Sequence, residues 1–254
     1  MTTTEILPGA EPFSHVGGGA TGVLVLHGFT GNPSSMRRQA EAMAELGHHV
    51  EQPRLPGHGT TVEDMLTTGW SDWSGAALAA HDLLAERADR IVVAGLSMGG
   101  TLTLFTAFER PSVAGIVCVN PATMPQPPEV VAMIQGMVDD GETVMPGIGS
   151  DIADPDVVEL AYDDTPLAPL LSLVNDGLAP LADRYGELQM PLRLFSSRQD
   201  HVVEPANSEH LAATYGGEVD QTWLDSSYHV ATQDYDRDLI TNEMAAFVDR
   251  VTAG

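Results

Sequence analysis

A serine enclosed by glycines directly follows an apolar segment, and this arrangement restricts the fold more than any other feature. Residues 91–94, IVVA, lead into residues 95–100, GLSMGG, and a helix-forming stretch then continues until Pro111 stops it. A strand, a sharp turn and a helix in this order match the pattern G-x-S-x-G, in which a strained turn exposes a serine hydroxyl above a sheet. Both flanks favour this interpretation over an incidental serine in a glycine-rich turn. The sequence therefore predicts Ser97 as a nucleophile at a helix N-terminus, where the helix dipole favours developing negative charge.

Strand-like and helix-like segments alternate along most of the chain. The apolar runs lie at residues 22–26, 91–95, 114–119 and 192–195, with a weaker run at 219–224. Between them, helical spacing of apolar residues occurs at residues 36–46, 73–84 and 240–251. This alternation predicts an α/β fold with a mostly parallel sheet flanked by helices. A chain of 254 residues is long enough for one such unit with a large core.

The pattern changes after Asn120. Four prolines fall within residues 121–128, and the chain from there to about residue 186 is acidic, contains several methionines and shows no clear strand. Residues 130–137 have the spacing of a small amphipathic helix. We predict that residues 1–120 and 187–254 form the core and that residues 121–186 form a small helical cap over the sheet. The alternative is a set of ordinary connecting helices.

The charge of the chain excludes several classes of partner. With 36 acidic and 11 basic residues, the formal net charge is −25, which repels nucleic acid and anionic membrane surfaces. We therefore expect no nucleic-acid partner. The single cysteine, Cys118, lies in an apolar run and is expected to be a buried, inert thiol. No Cys/His spacing typical of a metal site is present, so no metal or other cofactor is expected.

The sequence also suggests a location. The first residues lack a basic segment followed by an apolar stretch, so no secretory signal is expected, and a cytoplasmic location is the default. No apolar run approaches the length of a membrane span, so stable membrane insertion is not expected. The expected partner is a small-molecule substrate. The sequence leaves the oligomeric state open.

Acyl transfer by a serine requires two backbone N–H groups directed at the developing oxyanion. Behind a G-x-S-x-G turn, one donor is the residue after the nucleophile, here Met98, and the other comes from the loop after an earlier strand. The run at 22–26 ends in residues 27–32, HGFTGN, which supply such a loop. We predict the oxyanion hole to be formed by the N–H groups of Phe29 and Met98.

A serine hydroxyl needs a base, and in hydrolases with this turn the order along the chain is serine, acid, histidine. That order leaves three of the nine histidines, His201, His210 and His229. His210 falls within a helical stretch, where a surface role is expected, whereas His229 lies in a loop just after the last strand-like run. His229 is therefore the predicted base.

The acid that orients this histidine is expected at the carboxyl edge of the sheet. Asp200 follows the strand-like run at 192–195 and its exit turn, which places it there. His201 is adjacent to Asp200 and cannot easily be its ring partner, while Asp225 lies too close to His229 along the loop. Asn120 offers no carboxylate. The predicted triad is Ser97, Asp200 and His229.

These motifs together resemble one family over almost the whole chain from about residue 20. HGFTGN at 27–32, PGHG at 56–59, GLSMGG at 95–100, the Asp200 turn and YHV at 228–230 resemble bacterial monoacylglycerol lipases and related carboxylesterases of the α/β-hydrolase superfamily. The resemblance implies hydrolysis of medium- or long-chain monoacylglycerols and simple esters, beneath a cap. It also implies that an acidic cap residue contacts the glycerol head group, for which Glu159 is the candidate by position. The PGHG segment is interpreted as a structural turn near the site.

Other functions stay open on the sequence alone. The methionines of the cap suggest an apolar tunnel for the acyl chain. A broad carboxylesterase, a carbon–carbon bond hydrolase or a perhydrolase could carry the same triad, and a non-catalytic binding protein could use the same scaffold. A haloalkane dehalogenase is disfavoured, because it needs an aspartate in place of Ser97. The most specific hypothesis is a monoacylglycerol lipase that forms an acyl-enzyme on Ser97.

Overall fold

Residues 5–253, which this computed structural model describes, form one large sheet covered by helices, with a small two-stranded sheet beside it. The strands, numbered along the chain, are β1 Phe13–His15, β2 Thr21–Leu26, β3 His49–Gln52, β4 Arg90–Leu96, β5 Gly115–Val119, β6 Val144–Pro146, β7 Asp164–Pro166, β8 Leu192–Ser197 and β9 Val219–Leu224. The helices are α1 Arg37–Glu45, α2 Val62–Met65, α3 Trp70–Ala85, α4 Met98–Glu109, α5 Pro128–Asp139, α6 Leu167–Ser172, α7 Ala206–Thr214 and α8 Arg237–Thr252.

The large sheet has the strand order β1-β3-β2-β4-β5-β8-β9. β1 is antiparallel to β3, and the other neighbours are parallel, so the predicted mostly parallel sheet is confirmed. All five strand-like runs of the sequence are strands of this sheet. The strand order places β4, which carries the glycine-flanked serine, near the centre, with β2 and β5 on its two sides.

Alternate residues of the strands supply two separate cores. In β2, Leu24 and Leu26 face the core under α3 and α4, while Val23 and Val25 face the core under α1 and α8. The first core contains the fully buried Trp73 and the second contains apolar residues of the C-terminal helix. Helices on both faces explain why the central strands are almost continuously apolar.

The predicted cap segment, residues 121–186, contains helices α5 and α6, a π-helical turn at Leu173–Leu178 and the antiparallel pair β6–β7. The expectation of no strand in this segment is wrong at that pair. Each of the two strands has three residues and ends in a proline, Pro146 or Pro166, so neither shows an alternating apolar pattern. Its described residues add no strand to the large sheet.

Within residues 5–253, no helix combines the length and apolar character that a membrane crossing requires.

The close approach of α4 to the end of β2 predicts a loss of stability at Gly99, and an open position at Gly75 of α3 predicts the opposite effect. A Cβ on Gly99 would lie 2.1 Å from the carbonyl oxygen of Leu26, whereas a Cβ on Gly75, exposed in α3, would meet nothing within 4 Å. We expect Gly99→Ala to lower the free energy of unfolding by roughly 2 kcal/mol or more, because backbone must move to admit the methyl group. Gly75→Ala is expected to raise it by about 0.5–1 kcal/mol through helix propensity.

Urea denaturation followed by circular dichroism measures both changes. Equal stabilities of the two variants would contradict the close approach of α4 to β2.

Candidate active site

Ser97 lies at the turn between β4 and α4 in an unusual backbone conformation. Its φ of 56° and ψ of −120° fall outside the regions that non-glycine residues ordinarily occupy. The turn is fixed by neighbours: the Ser97 amide donates to the Val119 carbonyl of β5 at 3.0 Å, and the Ser97 carbonyl accepts from the amide of Gly100 at 2.8 Å. A Cβ on Gly95 would lie 2.0 Å from the carbonyl oxygen of Gly99. Gly95 and Gly99 therefore permit a close approach of strand and helix that no other residue would allow.

The loop that follows β2 lies directly beside this serine. A Cβ on Gly28 would be 3.3 Å from Cβ of Ser97, and Phe29 and Met98 line the same cavity as Ser97. Within the part of the chain that the structure describes, neither the Phe29 amide nor the Met98 amide donates to a protein acceptor. Both N–H groups are therefore available to a ligand oxygen.

His27 fixes the direction of one of these amides. Its Nε2 accepts from the Leu55 amide at 3.1 Å, so its Nδ1 carries the proton and donates to the Gly28 carbonyl at 3.0 Å. In a trans peptide the N–H of Phe29 points opposite to that carbonyl, away from the imidazole. Burial is the main cause that keeps the pKa of His27 well below its usual range, and the nearby His58 lowers it further. This role of His27 was not predicted from the sequence, although the histidine directly follows the apolar run of β2.

The predicted acid and base are in contact. Nδ1 of His229 is 2.7 Å from Oδ2 of Asp200, and both side chains are more than nine-tenths buried. The other carboxylate oxygen of Asp200 accepts from the amides of Val202 and Val203 at 2.9 and 2.8 Å. With Nδ1 donating to Asp200, Nε2 is the ring atom left to act as a base. His229 and Ser97 line the same cavity.

The competing side chains lie elsewhere. Asp225 is exposed and forms an ion pair with Arg198 at 2.8 Å. His201 contacts Asp151 through Nδ1 at 2.7 Å, and His210 faces the carbonyl of Ala182 at 3.3 Å. Of the three histidines that follow the serine, His229 is the one that shares its cavity.

Three carboxylates determine the protonation of His229. Burial alone would lower the pKa of this histidine, but the hydrogen bond and charge of Asp200 oppose it, and the charges of Glu159 and Asp151 act in the same direction. The net effect raises the pKa of His229 above its usual value. The protonated form of His229 is thus stabilised, which suits a base that must hold a proton during a reaction.

The cavity above Ser97 has a volume of about 370 Å³ and is mostly apolar. The predicted cap supplies much of its lining, including Met133, Ile134, Met145, Leu170, Leu173 and Val174. Glu159 also lines it, and a Cβ on Gly31 would be 3.1 Å from its Oε1. Burial raises the pKa of the Glu159 carboxyl, while the nearby His229 opposes this rise.

The turn at PGHG lies under the loop after β2. His58 is fully buried, its Nδ1 is 3.0 Å from the Pro56 carbonyl, and its ring packs edge-on against those of His27 and Trp73. Burial lowers the pKa of His58 to about 4, so the ring is neutral at ordinary pH. This placement agrees with a structural turn near the site.

The sequence of residues 23–241 matches the alpha/beta hydrolase family. The chain belongs to the alpha/beta hydrolase family. A thermostable monoacylglycerol lipase from Bacillus sp. (strain H-257) is 42% identical over 245 residues, which is 95% of each chain. A carboxylesterase from Bacillus subtilis (strain 168) is 28% identical over 95% of this chain and 97% of the relative. The predicted α/β-hydrolase fold and the resemblance to this group of lipases are therefore confirmed.

Solved structures agree with this assignment. One from the work on LipS and LipT, two metagenome-derived lipolytic enzymes, superposes with a TM-score of 0.90 at 42% identity, over 97% of this chain and 100% of that chain. The monoacylglycerol lipase of Paleococcus ferrophilus has a TM-score of 0.77 at 18% identity, over 95% and 98% of the two chains. The second likeness concerns the fold alone.

The electrostatics of this hydrolase site predict a high pKa for His229. In the native protein we expect its imidazole to titrate above the ordinary value of about 6.5. In Asp200→Asn the largest opposing charge is gone, so burial should dominate and the pKa should fall below that value. Titration of the histidine ring signals by NMR measures both values.

Asp225→Asn is the matched control, because it removes an exposed carboxylate from the same region. It should leave the pKa of His229 unchanged. A native His229 that titrates at or below about 6.5 would contradict this effect of the three carboxylates.

Proposed function

We propose that this hydrolase cleaves monoacylglycerols of medium or long acyl chain to glycerol and fatty acid, through an acyl-enzyme on Ser97. The observation that carries the proposal is the buried Asp200–His229 pair in one apolar cavity with a serine held in a strained turn. The monoacylglycerol lipase relative at 42% identity over 95% of the chain supports the choice of substrate.

In the first step, the ester carbonyl binds against the N–H groups of Phe29 and Met98. Ser97 Oγ attacks the carbonyl carbon while Nε2 of His229 takes the hydroxyl proton. The negative charge that develops on the carbonyl oxygen is stabilised by the two amides, and Asp200 stabilises the imidazolium. Because the direction of the Phe29 N–H is already fixed, little reorganisation is needed when the charge develops on the carbonyl oxygen.

In the second step, His229 gives its proton to the glycerol oxygen as the C–O bond breaks. A water molecule then loses a proton to the same nitrogen and attacks the acyl-enzyme, which frees the fatty acid and restores the serine hydroxyl. Asp200 keeps the imidazole in the productive tautomer throughout. All of these steps use groups of the chain and water.

The lining of the cavity suggests how the substrate lies. Apolar side chains from residues 130–178 would contain the acyl chain, in agreement with an apolar tunnel beneath a cap. Glu159, a carboxylate of the lining that lies near His229, would accept hydrogen bonds from the glycerol hydroxyls. On this proposal, residues 121–186 act as the cap and the remaining chain as the core.

A broad carboxylesterase is the second candidate. The carboxylesterase relative at 28% identity over 95% of the chain favours it, and the same steps would apply to simple esters. The complete set of nucleophile, base, acid and free amides argues against a purely non-catalytic binding protein. The cytoplasmic location stays a prediction, which cell fractionation tests.

Substrate profiling with a nucleophile variant tests the proposal. We expect kcat/KM for monoacylglycerols of eight or more carbons to exceed that for the matching p-nitrophenyl esters, diacylglycerols and short acyl esters, because both the cavity and Glu159 would be used. Ser97→Ala should lower kcat by roughly 10⁴-fold or more.

Equal or better turnover of simple esters would favour the carboxylesterase. Full esterase activity in Ser97→Ala would contradict the mechanism, and reaction of Ser97 with a fluorophosphonate probe provides an independent check.

The glycerol contact predicts a selective defect in Glu159→Gln. A hydrogen bond to a charged group contributes about 1.5–3 kcal/mol, so we expect kcat/KM for a monoacylglycerol to fall roughly ten- to hundredfold. The p-nitrophenyl ester of the same fatty acid should lose far less. Glu142→Gln, an exposed change in the same segment, is the control. Equal losses on both substrates would show that Glu159 does not recognise glycerol.

A further inference from the structure

Asp151 holds the loops of the acid and the base together. One of its carboxylate oxygens, Oδ2, accepts from the backbone amides of both His201 and His229 at 3.1 Å. The other oxygen, Oδ1, is 2.7 Å from Nδ1 of His201. Although it belongs to the predicted cap segment, Asp151 is buried, with a side chain only 9% exposed. One carboxylate therefore bridges the residue next to Asp200 and the base itself.

The main chain around Asp151 is bound to the loop that carries His229 by hydrogen bonds in which each segment both donates and accepts. The amide of Val230 donates to the Asp151 carbonyl at 3.1 Å. In return, the fully buried Asp234 accepts from the amides of Ala153 and Asp154 at 2.7 and 3.1 Å, and from that of Tyr228 at 2.9 Å. Residues 151–154 thus share a dense set of hydrogen bonds with the loop that carries His229.

The backbone of His229 is held on its other side as well. Asn120, which follows β5, donates from Nδ2 to the His229 carbonyl at 2.8 Å. The amide and the carbonyl of His229 therefore both bond to buried side chains that lie outside its own loop. Such contacts fix the position of a catalytic side chain through its main chain.

We propose that Asp151 is a positioning residue for the base: its carboxylate fixes the backbone of His229 and places a negative charge beside the imidazolium that forms during the reaction. The inference rests on the proposed function, because it assigns His229 as the base. The proposal also implies that residues 151–154 are held in a fixed position beside the active site.

The charged groups around the base determine the pH effect. His229 is faced by Asp200, by Glu159 and by Asp151, and Asp151 is itself faced by His201, whose side chain is 55% exposed. Removal of the Asp151 charge destabilises the protonated form of His229. The acid limb of kcat/KM, which reports protonation of the free base, should therefore move to lower pH.

Two substitutions separate the charge from the bonds. In Asp151→Asn, the amide oxygen can occupy the place of Oδ2 and keep both backbone hydrogen bonds while the charge is lost. We expect the acid limb of kcat/KM to shift down by about half a pH unit or more. In Asp151→Ala the bonds are lost too, and we expect kcat to fall roughly tenfold or more with little change in KM.

The controls isolate the effect. Asp156→Asn makes the same charge change at an exposed position of the same segment and should leave the profile unchanged. His201→Gln removes the imidazole that contacts Asp151, so a shift of the acid limb that persists when Asp151→Asn is made in this background does not arise from His201. The pH dependence of fluorophosphonate labelling at Ser97 gives the same information without an ester substrate.

The proposal is supported if the acid limb of kcat/KM shifts to lower pH in Asp151→Asn and if kcat falls in Asp151→Ala. An Asp151→Asn profile that overlays the native one, or an Asp151→Ala variant with native kcat, would overturn it. If Asp151→Ala does not fold, the profile of Asp151→Asn decides alone. A native protein without Ser97-dependent activity on esters would instead overturn the proposed function.

Discussion

The structure depends on the close approach of three main-chain segments at the turn that carries Ser97. β4 ends at Gly95 and Leu96, α4 begins at Met98, and Gly99 lies against the end of β2, with spaces too small for any Cβ at the two glycines. This contact forces Ser97 into a backbone conformation that costs on the order of 1–3 kcal/mol and persists only because its surroundings fix it. The bond from Ser97 to β5 and the bonds of the first turn of α4 provide that restraint.

The loops at the same edge of the sheet are arranged around that turn by buried polar side chains. His27 directs the peptide after Gly28, Asn120 holds the carbonyl of His229, and Asp151 holds its amide. Each of these side chains bonds to backbone, which carries strong and permanent dipoles. The groups proposed to react are therefore positioned by contacts to backbone groups that do not change protonation, while the proposed proton transfers all pass through His229.

The sequence predicted the parts of this arrangement that follow from local patterns. The central strands β2, β4, β5 and β8 are buried on both faces and therefore read as apolar runs, and the serine turn has a spacing that its geometry imposes. β3 was missed because three of its four residues are polar. Its Glu51 is buried against Ser14 and Arg87, which are distant in sequence. Burial satisfied by remote partners leaves no periodic signal in a sequence.

The site shows the same difference between local patterns, which can be predicted, and contacts between distant residues, which cannot. Chain order left three histidines after Ser97 but many carboxylates, so the prediction of Asp200 and His229 also needed their positions just after strand-like runs. The contacts of Asp151 with His229 could not be predicted, since they join a segment without apolar periodicity to a loop 78 residues away. The cap of the turn after the loop that follows β2 is Asn32, whose side-chain oxygen accepts from the Ser34 amide at 3.0 Å.

A few of the many acidic residues act on one group of the site, the imidazole of His229. Most of the carboxylates are spread over the surface, where water and salt screen them. Asp200, Glu159 and Asp151 instead surround one buried imidazole and act on it with little screening. Two of these three residues belong to the predicted cap segment. The protonation of His229 therefore depends on Asp200 and on two residues of the segment 121–186, so under the proposed function changes in that segment are expected to alter catalysis as well as substrate choice.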